Sequence, residues 1–173
     1  MVGLLPRSGW GYRVIQKLSA TGPVSWLLAR SLHHLDRLIM RLSGGTYTAT
    51  RLLSGIPTVL LTTRGARTGK VRTVPLVPMQ DDDKIILVAS NFGRAHSPAW
   101  YYNLRAHPEA ALTFNGRRSV YLAHEATGQE REFYWRKAAD LYAGFMGYAR
   151  RAGARRIPIM VLTPMLGQAA NAR

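Results

Sequence analysis

Between Thr62 and Leu76 the chain reads TTRGARTGKVRTVPL, which crowds glycines, a hydroxyl residue and basic side chains into one short stretch. These residue types bind anions: Arg and Lys bring charge, Thr a hydroxyl, and exposed backbone amides further donors. A nucleotide P-loop would read G-x-x-x-x-G-K-[ST], but Gly65 and Gly69 stand one residue too close and Val71 replaces the hydroxyl that would hold magnesium. A second group, Ser90, Asn91, Gly93 and Arg94, leads into Ser97-Pro98, and helix N-termini also favour anions. Trp100, Tyr101 and Tyr102 follow at once, and Tyr142, Phe145 and Tyr148 recur at three-residue spacing. Aromatic triplets alone are usually core packing. Paired with the charged loops, they point to a planar, phosphorylated cofactor.

Other chemistries find little support. His33 and His34 are adjacent, and His96, His107 and His124 have no carboxylate or histidine at ligand spacing, so no metal site is expected. The acidic residues are few and scattered, which disfavours paired-carboxylate hydrolysis, and no G-x-S-x-G elbow occurs.

The elements that must position these residues divide into a helical front and a strand-rich body, with expected domains 1–44 and 45–173. From Val24 to Leu42, Leu28, Leu32, Leu35, Ile39 and Leu42 form a helical stripe opposite Arg30, His33, Arg37 and Arg41. Such a helix either packs one face on a core or lies on an anionic bilayer. Strands are expected at Thr58 to Thr63, Val71 to Met79, Lys84 to Ser90, Ala111 to Phe114, Ser119 to Ala123 and Ile157 to Leu162. Pro75 and Pro78 cannot donate ladder hydrogen bonds, so the second of these is interrupted or runs along an edge, and Asn115-Gly116 signals a hairpin. Ser97 as N-cap with Pro98 opens one helix, and Thr127 to Glu130 reads as a capping box for another running to about Gly153. Hairpins with few crossovers predict an α+β fold, mostly antiparallel, with helices packed outside.

The chain has 173 residues, no cysteine and 47% hydrophobic residues, which fits one soluble domain in a reducing cytoplasm. MVGLLPRSGW lacks the apolar run of a signal peptide, and no stretch reaches the length of a membrane span. Lys+Arg number 24 against 9 Asp+Glu, a net charge of +15 that asks for an anionic partner. Nucleic acid is not expected, because no recognition helix, zinc finger or RNA-binding motif is present.

The run T-x-G-x-x-T-G-x-x-R-x-x-P-L, from Thr63 through Gly65, Thr68, Gly69, Arg72 and Pro75 to Leu76, resembles the deazaflavin-dependent nitroreductase and quinone reductase family of actinobacteria. A second motif follows from Ser90 through Gly93, Pro98, Trp100 and Tyr101 to Asn103 and Leu104, and a third at Tyr142, Tyr148, Arg155, Ile157 and Pro158. The resemblance implies a split β-barrel of the FMN-binding type and the cofactor F420 in preference to FMN. By this likeness Arg67, Thr68, Gly69 and Arg72 hold the phosphate and acidic tail with Lys70 nearby, while Pro75, Ser90, Asn91 and Trp100 line the deazaflavin or its linker. Tyr142, Tyr148 and Ser90 are the candidate catalytic residues. The acceptor implied is a quinone such as menaquinone, or a nitro compound or activated alkene. The sequence departs from the pattern at Phe145, where nitro-reducing relatives carry Tyr, at Ser97, where Asn is common, and at Ala66, where relatives often have a basic residue. A monomer or homodimer is expected, cytoplasmic or peripheral on the inner membrane face. The alternative is a protein of the same barrel that holds F420, a lipid or a tetrapyrrole without turnover.

Overall fold

In the computed structural model, residues 58–169 are described, with side chains through Met165. Strands β1 (Val59–Arg64) and β2 (Val71–Leu76) form an antiparallel hairpin, and β3 (Met79–Asp81) and β4 (Lys84–Val88) a second. Helix α1 (Ala99–Ala106) precedes β5 (Glu109–Phe114) and β6 (Arg117–Glu125), joined at Asn115 and Gly116, both with positive φ as the hairpin signal requires. Helices α2 (Gly128–Leu141) and α3 (Gly144–Ala152) lead to β7 (Ile159–Ala169).

The seven strands lie in the order β2-β1-β5-β6-β7-β4-β3, and every pairing is antiparallel. Strands β2 and β3 therefore occupy opposite edges, yet only Val77 and Pro78 separate them in the chain. A flat sheet of this width would part its edges by about 29 Å, six gaps of about 4.8 Å, which two residues cannot bridge. The sheet must curl until its edges approach, which makes it a split β-barrel. The stretch Val71 to Met79, expected to be interrupted or at an edge, is both: it divides between two edge strands, broken at the buried Pro78, which has no N–H to continue either ladder.

Alternation along the strands divides the core. Leu87, Met160 and Leu162 pack with Leu61, Trp100 and Leu104 under α1, whereas Ile86, Ile159 and Val161 pack with Tyr134 and Ala138 under α2. Strands β4 and β7 are buried on both faces, which is why their sequences run continuously apolar.

Three helix expectations need correction. Pro98, not Ser97, is the N-cap of α1. Ser97 is buried and its Oγ instead takes a hydrogen bond from Arg155 Nη1 at 3.3 Å. The helix expected to run to Gly153 breaks after Leu141, because Tyr142 leaves helical geometry and turns its ring over Gly144, where a Cβ would lie 2.2 Å from it. Thr127 is the N-cap of α2 but makes no side-chain cap bond, and Glu130 meets His124 Nε2 at 3.1 Å, so the expected capping box does not form. The helix expected over Val24 to Leu42 and the 44/45 domain boundary lie outside the described residues.

Candidate functional site

The connection from β1 to β2 is folded by its own amides. Gly65 N–H donates to the Lys70 carbonyl at 2.9 Å, and Gly69 N–H to the Gly65 carbonyl at 2.8 Å. Gly69 has φ 64°, a conformation a glycine adopts without strain. Ala66 N–H donates to Asn103 Oδ1 on α1 at 3.0 Å, and Asn103 Nδ2 donates to the buried Thr63 hydroxyl at 3.0 Å. Lys70 N–H reaches Thr68 Oγ1 at 3.4 Å. The amides of Arg67 and Thr68 have no acceptor among the described residues, so two consecutive donors remain beside the side chains of Arg67 and Lys70.

Arg72 pairs with Thr63 in the ladder, so its side chain shares a face with the threonine that α1 holds. Arg64 adds a further cation, its guanidinium within 3.7 Å of where a Gly69 Cβ would be. None of Arg64, Arg67, Lys70 and Arg72 forms an ion pair among the described residues. An unpaired cationic loop with spare amides fits a phosphate and an acidic tail.

The turn after β4 is held from a distance by Arg155. Its Nη2 donates to the Ser90 carbonyl at 2.7 Å, Nε to the Arg94 carbonyl at 2.9 Å, and Nη1 to the Ala89 carbonyl at 3.3 Å. Gly93 presses this turn onto α3, where a Cβ would lie 2.7 Å from both the Tyr148 carbonyl and Arg151 Cβ. Asn91 spends its amide on its own loop, donating to the His96 carbonyl at 2.9 Å. Both loops converge on α1: the turn feeds its N-terminus, and Asn103, four residues or about 6 Å along the helix, clamps the cradle.

Against the turn stands an aromatic group on α3. Tyr148, only 7% exposed, meets Tyr142, Phe145 and Phe92 with ring centroids 6.0, 5.9 and 6.0 Å away, and Arg151 lies 5.0 Å over its ring. The Tyr142 and Tyr148 hydroxyls are 3.4 Å apart. Burial first, then the Tyr142 hydroxyl, push the Tyr148 phenol well above its ordinary value, so it is a neutral O–H donor across the physiological range.

Among the residues expected in the site, Arg67, Thr68, Gly69, Lys70 and Arg72 come together in the cradle, and Ser90, Asn91, Tyr142 and Tyr148 around the second turn. Two stand apart. Pro75 is three residues from Arg72 on a strand, hence on the opposite face of β2. Trp100 is 7% exposed within the α1 core. The clamp Asn103, the brace Arg155 and the cation Arg64 had no assigned role, although the first two sit inside the spaced motifs. Among the described residues no group of His, Asp or Glu could hold a metal ion, and no helix is long and apolar enough to cross a membrane.

A cationic cradle and a buried phenol, linked by one short helix on a split barrel, are an arrangement that could hold a flat redox cofactor by an anionic end. A family model described as F420H(2)-dependent quinone reductase matches residues 34–164. The chain is 30% identical over 139 residues to an F420H(2)-dependent quinone reductase of Mycobacterium tuberculosis, covering 75% of this chain and 93% of that one. Among solved structures, it is similar to an F420-H2 dependent reductase at 34% identity and a TM-score of 0.56, covering 61% of this chain and 93% of the other. A protein solved as a domain-swapped dimer matches at 29% identity and a TM-score of 0.59, covering 82% and 99%. The chain therefore belongs to the F420H(2)-dependent quinone reductase family, and its cofactor is the deazaflavin F420.

Proposed function

We propose that this protein passes hydride from reduced F420 to a quinone, with Arg64, Arg67, Lys70 and Arg72 holding the phosphate and acidic tail. The observation that carries this reading is the cradle itself: four cations and two spare amides, with no carboxylate among the described residues to neutralise them. When bound, the reduced deazaflavin supplies the hydride, so the protein needs no nucleophile or metal of its own. The chain's residues bind, orient and donate protons. Tyr142 and Tyr148, with Ser90 on the adjoining turn, offer O–H donors to the acceptor oxygen as negative charge develops there. Quinones are favoured over nitro compounds and activated alkenes, since Phe145 places no hydroxyl between the two tyrosines. A lipid-soluble quinone such as menaquinone would be reached from the cytoplasmic face of the membrane. The likeness to a domain-swapped dimer makes a homodimer the assembly to look for by light scattering.

Titrating the purified protein with F420 and following its fluorescence tests the reading, and no quenching at micromolar concentration would remove it. Arg72→Ala is expected to raise the F420 Kd about 10- to 100-fold, the equivalent of one charge-assisted hydrogen bond of about 1.5–3 kcal/mol. Rapid oxidation of reduced F420 by menadione separates an enzyme from a carrier that binds F420, a lipid or a tetrapyrrole without turnover.

A further inference from the structure

Three consecutive residues of the turn after β4 lie in the left-handed region: Asn91 at φ 48°, Phe92 at φ 57° and Gly93 at φ 79°. Gly93 enters it without strain. Asn91 is a residue that tolerates it, and its amide ties the loop at the His96 carbonyl. Phe92 has neither remedy, being bulky and lacking a polar side chain. Nor does burial compensate, since the residue is 49% exposed. Its conformation is enforced from α3, where Arg151 Nε donates to the Phe92 carbonyl at 3.3 Å and the Tyr148 ring meets the Phe92 ring at 75°. Strained non-glycine residues that persist in this way cluster where a site needs a side chain in one place. Of the rings gathered around Tyr148, Phe92 is the exposed one, while Tyr142 and Phe145 are half-buried.

We propose that Phe92 is a specificity-determining residue whose open ring stacks on a flat, electron-poor acceptor of the quinone class, beside the Tyr142 and Tyr148 hydroxyls. The assignment rests on the quinone-reductase reading for the identity of the acceptor. Fused-ring naphthoquinones gain most from the contact, and single-ring benzoquinones less, because stacking grows with overlapped aromatic area.

Phe92→Gly removes the ring and relaxes the turn without touching the cradle. With menadione as probe, quenching of the intrinsic tryptophan and tyrosine fluorescence is expected to show the Kd rising about tenfold, or about 1.4 kcal/mol. The KM for menadione should rise by the same factor, with kcat, F420 affinity and the thermal midpoint not reduced. Phe92→Tyr should restore the wild-type values, and Phe92→Leu, apolar but without a ring, should not. An unchanged menadione Kd and KM in Phe92→Gly overturns the assignment. So does a parallel loss of F420 affinity, which would make the residue a support for the turn. A wild-type protein that menadione does not quench also overturns it. Because quenching needs no hydride transfer, a protein that binds menadione but does not reduce it refutes the reductase reading separately, while the Phe92→Gly comparison still decides this one.

Discussion

Replacing Asn103 by Ala should loosen the anion cradle from a position that touches no anion. Asn103 is 8% exposed, and its amide makes two bonds of 3.0 Å, one from Ala66 N–H and one to the Thr63 hydroxyl, itself 3% exposed. Each bond contributes about 1 kcal/mol net, and leaving the buried Thr63 hydroxyl without its donor costs about 1 kcal/mol more, at the low end for a buried group that loses its partner, so the total is about 3 kcal/mol. With a urea m-value of about 2 kcal/mol/M, the unfolding midpoint should fall by about 1.5 M. The F420 Kd should rise as well, because Arg67 and Lys70 then ride on a loop no longer fixed to α1. A midpoint that moves by less than a few tenths of a molar, with F420 affinity intact, would refute the claim that this side chain holds the loop.

Two further outcomes follow from the turn and the phenols. Gly93→Ala puts a Cβ 2.7 Å from the Tyr148 carbonyl at a φ of 79°, so clash and backbone strain act together; a loss of more than about 2 kcal/mol is expected in thermal or urea unfolding. At high pH the protein should weaken. Burial, then hydrogen bonding to Asp81, pushes the Tyr134 phenol up to about 12, and Tyr148 is raised in the same direction. Between pH 10, where unfolded tyrosines ionise, and about 12, the folded state keeps protons that the unfolded state releases. Stability is thus fully present below pH 10 and falls above it, and Tyr134→Phe should flatten the slope of the urea midpoint with pH.

Most strands were legible because their residues obey one local rule each: β-branched runs for β1 and β4, Asn115-Gly116 for the β5–β6 hairpin, prolines for the edge at β2. The break between β2 and β3 was signalled by Pro78, but the placing of the two pieces on opposite edges was not, since it follows from closure of the whole sheet. The break between α2 and α3 has no proline to announce it; it depends on where the Tyr142 ring comes to rest. In the site, the cations declared themselves by type, whereas Asn103 and Arg155 act on residues 37 to 66 positions away and carry no local mark of it. One signal was available and missed: Arg72 and Pro75 are an odd number of residues apart on a strand, which already sets them on opposite faces.

Among the described residues strand β7 sits between β6 and β4, so the β3–β4 hairpin joins the rest of the sheet through β7 alone. Arg155, just ahead of that strand, is also what braces the turn after β4. On the ribosome, therefore, the first three-quarters of the chain can pair β1, β2, β5 and β6 but can neither complete the sheet nor brace the turn after β4. A chain that stops short of Arg155 and β7 is therefore expected to lose the brace on that turn and the link between the two parts of the sheet together.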